Sequence, residues 1–590
     1  MSNTVNIGNS AYVIGSSSTT FILGAANSIS GTSVGISEAA FYSHNTIDIL
    51  GSITSPNLSH DGIDSLGAQT TIHVEAGGSV GGAFGIYSGG VDATIINDGH
   101  VEASTHGIYS FGGNANIVNN GTVSGAANGI AVFLNGVAHA EMTNTGKVDG
   151  IVYASADDLE ITNTKTGIIT ASIAILDTAG QKVLITNEGT IGNAGGWALD
   201  LRDGNQTVVN HGTMLGMIDM GGGDDTFDNR GGVISSPIAG GDGNDTFILN
   251  TAVAVHELAA GGTDTVKSSI GVDFGSALFD GQELENLVLL GSKNINGAGN
   301  SLNNAITGNA GNNILNGGAG LDIMTGGNGN DTYYADRATD KIIETNASKA
   351  IGGIDLVHFS GAAGKFTLGA NIEHLKLDGT KNINGTGNEL SNLIIGNAGA
   401  NKINGGAGVD IMKGGNGNDT YYADLSTDKA IETSAAGGTD RVHFKGTSGT
   451  FTLGANIENL TLDGNKAIGG TGNSLANSLV GNKGSNMLNG MAGDDTLSGG
   501  KGADILTGGI GADTFIFKTG AGHDTVTDFE NGKDHFNFKL WTAIGDFADL
   551  KAEHLTVSGH DLIIHAGNDS LTLKHTDIGA LDAGDFMFAA

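Results

Sequence analysis

The sequence predicts an all-β chain of stacked coils: a right-handed parallel β-helix running into a second, tighter coil array. Three observations carry this expectation. Glycine is far above ordinary usage, at 101 of 590 residues, while proline is held to 2. A short strand recurs about every 22 residues through the first 235 positions. A nine-residue glycine and aspartate unit then recurs in tandem through the second half.

Such glycine content requires many tight turns, but the glycines follow no three-residue period, which with so little proline excludes a collagen helix. Hydrophobic residues make up 39% of the chain and β-branched residues are plentiful, so short buried strands can form between the turns. The chain has 62 acidic against 26 basic residues, a net charge of −36. Such a surface repels phosphate backbones and anionic lipid heads, so nucleic acid is not an expected partner and cations are. With no cysteine, disulfides and thiol catalysis are excluded. No apolar run reaches the roughly 20 residues that a membrane span needs. The first basic residue is Lys147, so a basic amino-terminal leader is not expected, and export would take another route.

In the first half, GIYSGG from Gly85, GIYSFGG from Gly107, GIAVFLNG from Gly129 and GIVYASAD from Gly150 stack as one recurring strand. Each is followed by a second strand and, at most positions, an Asn-x-Gly turn, at Asn97, Asn119, Asn144, Asn187 and Asn210. One coil of this size cannot bury its apolar face alone, so stacking is expected to put Ile86, Ile108, Ile130, Ile151 and Ile173 in one interior column. The asparagines suit the corners and can hydrogen-bond to one another along the stack, a structural role.

The nine-residue unit G-G-x-G-x-D-x-U-x, with U apolar, occurs from Gly240, Gly317, Gly326, Gly405, Gly414, Gly499 and Gly508. Glycines let a loop turn its carbonyls inward, and the Asp at position six adds a hard anionic oxygen, a set that favours calcium. The next apolar residue sends its side chain into the core and couples metal binding to folding. The candidate ligands are Gly240, Asp242, Asn244 and Asp245; Asp322; Gly326, Asn328, Asn330 and Asp331; Asp410; Gly414, Asn416, Asn418 and Asp419; and Asp495, Asp504 and Asp513. Asp225 belongs to an imperfect unit in which Met220 takes the first glycine's place.

Tandem units run over 299–334, 387–422 and 472–516. If each is half a coil, loops 18 residues apart share an ion, pairing Asn304 with Asp322, Asn313 with Asp331, Asn392 with Asp410, Asn401 with Asp419, Asn477 with Asp495, Asn486 with Asp504 and Asp495 with Asp513. Only the last pair has two carboxylates and is expected to be strongest, so Asp513→Ala should release more calcium than Asp322→Ala. Larger blocks repeat as well, marked by LENLVLLG at Leu284, IEHLKLDG at Ile372 and IENLTLDG at Ile457.

The unit resembles the repeats-in-toxin (RTX), hemolysin-type calcium repeat, strongly over about residues 220 to 540. The resemblance implies a calcium-binding parallel β-roll with several Ca2+ ions held in its turns. The segment from Gly520 to Ala590, with the Phe-rich ending Asp585-Phe586-Met587-Phe588, resembles the carboxyl-terminal region of proteins exported by a type I secretion apparatus. That implies a secreted or cell-surface protein of a Gram-negative-type bacterium; an amphipathic cap strand is the plainer reading of the same segment. The expected organisation is a β-helix over 1–235, calcium repeats with intervening β modules over 236–516, and a cap and secretion region over 517–590.

Enzyme signatures are weak. His256-Glu257-Leu258-Ala259-Ala260 lacks the second histidine of a zinc protease, and the G-x-S-x-G matches at Ser33 and Ser79 are expected by chance in a chain this rich in Gly and Ser. A uronate epimerase or lyase would need a cationic, carboxylate-lined groove, for which Asp200, Arg202, Asp203 and Asp177 form the best cluster. The preferred expectation is a calcium-built surface-layer or matrix protein with no catalytic residues and with self-association. A calcium-dependent polysaccharide-binding adhesin and the uronate enzyme are the alternatives.

Overall fold

The computed structural model describes residues 2–4, 12–14, 20–24, 28–30, 36–38, 43–54, 61–125, 129–175, 182–257, 261–279, 283–346, 351–434 and 437–589. The fold is all-β and builds two compact units, Met1–Gly291 with Ile295–Ile306, and Ser292–Asn294 with Thr307–Ala590. Both are parallel β-solenoids.

In the first unit each strand pairs in parallel with its counterpart one coil later. The interior column runs Ile63, Ile86, Ile108, Val132, Val152, Ile173, Leu199, Ile218 and Ile238. Every member is at most 2% exposed. Ile130 and Ile151 do not belong to it. They pair with each other outside the column and are half-buried, because the coil after Ile108 is longer than the one before it and the register shifts between Ile130 and Val132.

The corner asparagines form a continuous ladder. The Nδ2 of Asn97 donates to Oδ1 of Asn119, and the chain of amides continues through Asn144, Asn163, Asn187 and Asn210 to Asn229, each link 2.7–2.8 Å long. All seven are fully buried. The second amide hydrogen of Asn97, Asn119, Asn163 and Asn187 reaches a backbone carbonyl. Asn144→Ala would take the acceptor from one amide hydrogen of Asn119 and the donor from Oδ1 of Asn163. Each orphaned group costs about 1–3 kcal/mol, and the variant is expected to show a clearly lowered Tm by calorimetry.

In the second unit the tandem region has an 18-residue coil: Ile314 pairs with Thr332, Leu393 with Ile411 and Ile411 with Lys429, and Ser478 with Thr496 and Thr496 with Thr514. The apolar residue two beyond each position six faces inward. Met324, Tyr333, Met412, Tyr421, Leu497, Leu506 and Phe515 are all fully buried. The carboxyl end closes the roll. Leu555–Ser558, Asp561–Ala566 and Asp569–Leu573 form an antiparallel meander, and Phe586–Met587 lies parallel to His535–Leu540. Phe536, Phe538, Trp541 and Phe586 pack into one aromatic cluster there. The Phe-rich ending is thus part of the cap, with Asp585 buried and closing a capping box with Asp582. No helix among the described residues is long and apolar enough to cross a membrane.

Candidate metal centres

Position six of each coil lies on a solenoid edge, and there the side chains do two different things. Where it is Asp, one carboxylate oxygen accepts the backbone N–H of position six in the preceding coil. Asn313 donates to Asp331 at 2.7 Å, Asn392 to Asp410 at 2.8 Å and Asn401 to Asp419 at 2.7 Å. Asn477 donates to Asp495 at 2.6 Å, Asn486 to Asp504 at 2.7 Å and Asp495 to Asp513 at 2.8 Å. The other oxygen, Oδ2 of Asp331, Asp410, Asp419, Asp495, Asp504 and Asp513, is buried with no hydrogen-bond donor. The same holds in the first unit, where Asp225 accepts from Gln206 and Asp245 from Asp225, and Oδ2 of each stays unpartnered.

A buried acceptor without a donor is costly, and a divalent cation satisfies it with oxygen ligation alone. The first glycine of each unit keeps this space open. A Cβ at Gly405, Gly490, Gly499 or Gly508 would collide with the free carboxylate oxygen of Asp410, Asp495, Asp504 or Asp513. Burial pushes the carboxyl of Asp225 up to about 8, that of Asp495 to about 7 and those of Asp410, Asp504 and Asp513 to about 6. Met220, in the first glycine's place of the imperfect unit, is fully buried.

Where position six is Asn, the side chain closes its own loop. Oδ1 of Asn392 accepts from the backbone of Asn388, and its Nδ2 donates to the carbonyls of Ile372 and Glu373 at 3.0 and 3.1 Å. Asn477 repeats this with Asn473, Ile457 and Glu458, and Asn486 with Asn482 and Ile468. The amide supplies from within the N–H groups that an Asp lacks, so the Asn and Asp of a pair are not equivalent. Position-five asparagines turn elsewhere: Asn244, Asn330 and Asn418 are exposed and accept from the backbone of Thr263, Ile354 and Thr439. Asp242 and Asn416 are exposed as well, and Asn328 accepts from Asn346.

The column extends beyond the nine-residue units. Asp331 donates its N–H to Asp355, and Asp355 to Glu373; Asp419 donates to Asp440, and Asp440 to Glu458. Asp245 and Asp264 do the same toward Asp264 and Glu285. Asp504 and Asp513 hand on to Asp524 and Asp534. The pair Asp495 and Asp513 is therefore one of several with two carboxylates. The glutamates of the LENL, IEHL and IENL segments carried the signal, since each opens a repeated block.

Of the enzyme-like clusters, Arg202 and Asp200 form an ion pair at 3.4 Å, and Asp177 and Ser33 lie outside the described residues. Ser79 lies at the start of the strand Ser79–Ser88, its hydroxyl 2.8 Å from that of Ser52, and it pairs one coil on with His100.

Stacked parallel coils with acid-lined turns define a calcium-binding β-solenoid. Residues 298–333, 386–421 and 480–515 match the model of the RTX calcium-binding nonapeptide repeat. The chain carries RTX calcium-binding nonapeptide repeats, which imply several bound calcium ions. A search of curated proteins finds no match. Among solved structures, the extracellular lipase LipA from Serratia marcescens is similar at 18% identity, over 40% of this chain and 45% of the lipase, with a TM-score of 0.15. The chain thus spans less than half of that lipase, and so low a score carries no argument.

Proposed function

We propose that this chain is a secreted structural protein of the bacterial cell surface, exported by a type I apparatus and assembling on calcium as a surface layer or matrix. The observation that carries the reading is the row of buried carboxylate oxygens lacking donors, held by Asp225, Asp245, Asp331, Asp410, Asp419, Asp495, Asp504 and Asp513. Extracellular calcium sites have dissociation constants of about 10⁻⁴–10⁻³ M, so these turns fill outside the cell and stay empty inside it. Repetition of whole blocks supports a scaffold. Light scattering of the full chain during calcium titration tests this: large ordered assemblies at millimolar calcium are expected, and a persistent monomer overturns the structural role.

One feature favours a second reading, a calcium-dependent polysaccharide binder. Phe84, Tyr87, Tyr109, Phe111, Phe133 and Tyr153 form a half-exposed strip along the first unit, with ring centroids 4.9–5.4 Å apart between successive contacts. Aromatic strips of this kind offer apolar surface to sugar rings. Retention on a polysaccharide matrix, lost in Tyr109→Ala, would favour that reading.

A further inference from the structure

Three carboxylate groups stand apart from the nine-residue pattern. Asp245, Glu257 and Asp264 converge in the first unit; Asp331, Glu344 and Asp355, and Asp419, Glu432 and Asp440, converge in the second. Within each group the three ligand oxygens lie within 4.8 Å of one another. The middle and last members lie outside the repeat matches at 298–333 and 386–421, and none of the first group is matched. One sequence pattern underlies all three: G-N-D-T followed by an aromatic residue, then a Glu, then Gly-Gly-x-Asp. The glycine pair bends the chain so that the last Asp reaches the edge, and its second member, Gly262, Gly353 or Gly438, has a positive φ.

All nine side chains are at least nine-tenths buried. In the first group one oxygen each of Asp245, Glu257 and Asp264 has no hydrogen-bond partner; in the second this is true of Asp331 and Glu344, and in the third of Asp419, Glu432 and Asp440. No Lys or Arg forms an ion pair with any of them among the described residues. In the second and third groups a buried tyrosine hydroxyl, Tyr333 or Tyr421, donates to Glu344 or Glu432. At Gly326 and Gly414 a Cβ would collide with the Asp, Glu and Tyr oxygens together, so the backbone itself makes room.

We propose that each triad binds one calcium ion, at a site to which the repeat contributes only its Asp while the Glu and the second Asp come from residues outside the nine-residue units. Calcium–oxygen distances of about 2.3–2.6 Å let two ligands of one ion lie up to about 5 Å apart, which fits the observed spread. In the second and third groups the ion fastens the longer coil that ends the tandem, where 24 residues separate Asp331 from Asp355 and 21 separate Asp419 from Asp440, onto the regular 18-residue coils.

This rests on the calcium chemistry of the repeats, and the test separates the two. The full chain is loaded with calcium, freed of excess by gel filtration, and its bound ions are counted by native mass spectrometry. The combined variant Glu257→Gln, Glu344→Gln, Glu432→Gln is expected to hold three fewer ions than the parent, one per triad. The Asp495→Asn, Asp513→Asn variant is the control for the repeat sites. An unchanged count in the glutamine variant overturns the triads alone; a parent chain without calcium overturns the repeat reading too. If the glutamine variant fails to fold, terbium replaces calcium in the parent and in Tyr333→Phe, Tyr421→Phe. Tyrosine-sensitised emission is expected to fall at equal terbium occupancy, and unchanged emission overturns the proposal.

Discussion

In excess chelator the full chain is expected to lose much of its β-structure and to regain it cooperatively as calcium rises to millimolar levels. Circular dichroism follows the transition. The physical reason is the free Oδ2 of Asp410, Asp419, Asp495, Asp504 and Asp513, acceptors sealed from water with no donor. At millimolar calcium, about one to ten times the Kd, each ion that binds only the folded form adds about 0.4–1.4 kcal/mol. Eight such sites together reach the range of an ordinary domain's whole stability, about 5–15 kcal/mol. The Asn-closed loops at Asn392, Asn477 and Asn486 already carry their N–H groups and need no ion. A chain whose β-signal is the same in chelator and in calcium would show that the free oxygens are satisfied some other way.

The second large effect is a reversal of pH dependence with calcium. In its metal-free folded form the chain holds Asp225 up at about 8, Asp495 at about 7 and Asp504 and Asp513 at about 6, through burial. The unfolded chain titrates these groups near 4. Between about pH 4 and 8 the folded metal-free form therefore binds more protons than the unfolded one, so its stability falls as pH rises through that window. With chelator, compact β-structure is expected near pH 4–5 and lost toward pH 8. With calcium the slope inverts, since binding requires ionised carboxylates, and the half-saturating calcium concentration rises as pH falls from 8 to 6. Calcium titrations at pH 6, 7 and 8 check this, and parallel slopes with and without calcium would contradict it.

Much of the architecture was legible because it is periodic. The 22-residue spacing revealed the coils of the first unit, the Asn-x-Gly corners foretold the buried amide ladder, and the nine-residue units foretold the 18-residue register. Where coil length varies, the spacing misleads. Ile130 and Ile151 align with Ile108 in text, yet the longer coil hands the interior column to Val132 and Val152. The same limit hid Glu344 and Asp355, and Glu432 and Asp440, whose gaps from the repeat aspartates differ from block to block. Glu257 could be read only as half of a failed zinc motif; burial beside Asp245 and Asp264 gives it its setting. The difference between Asn and Asp at position six is chemical, but it shows only once the partners of each amide are known.

The carboxylate links of the column all run one way. Asn477 gives its N–H to Asp495, Asp495 to Asp513 and Asp513 to Asp534, always toward the carboxyl end. The coils therefore overlap like roof tiles, each weathertight only when the tile after it is laid. The aromatic cap around Phe536, Trp541 and Phe586 covers the end toward which these links point.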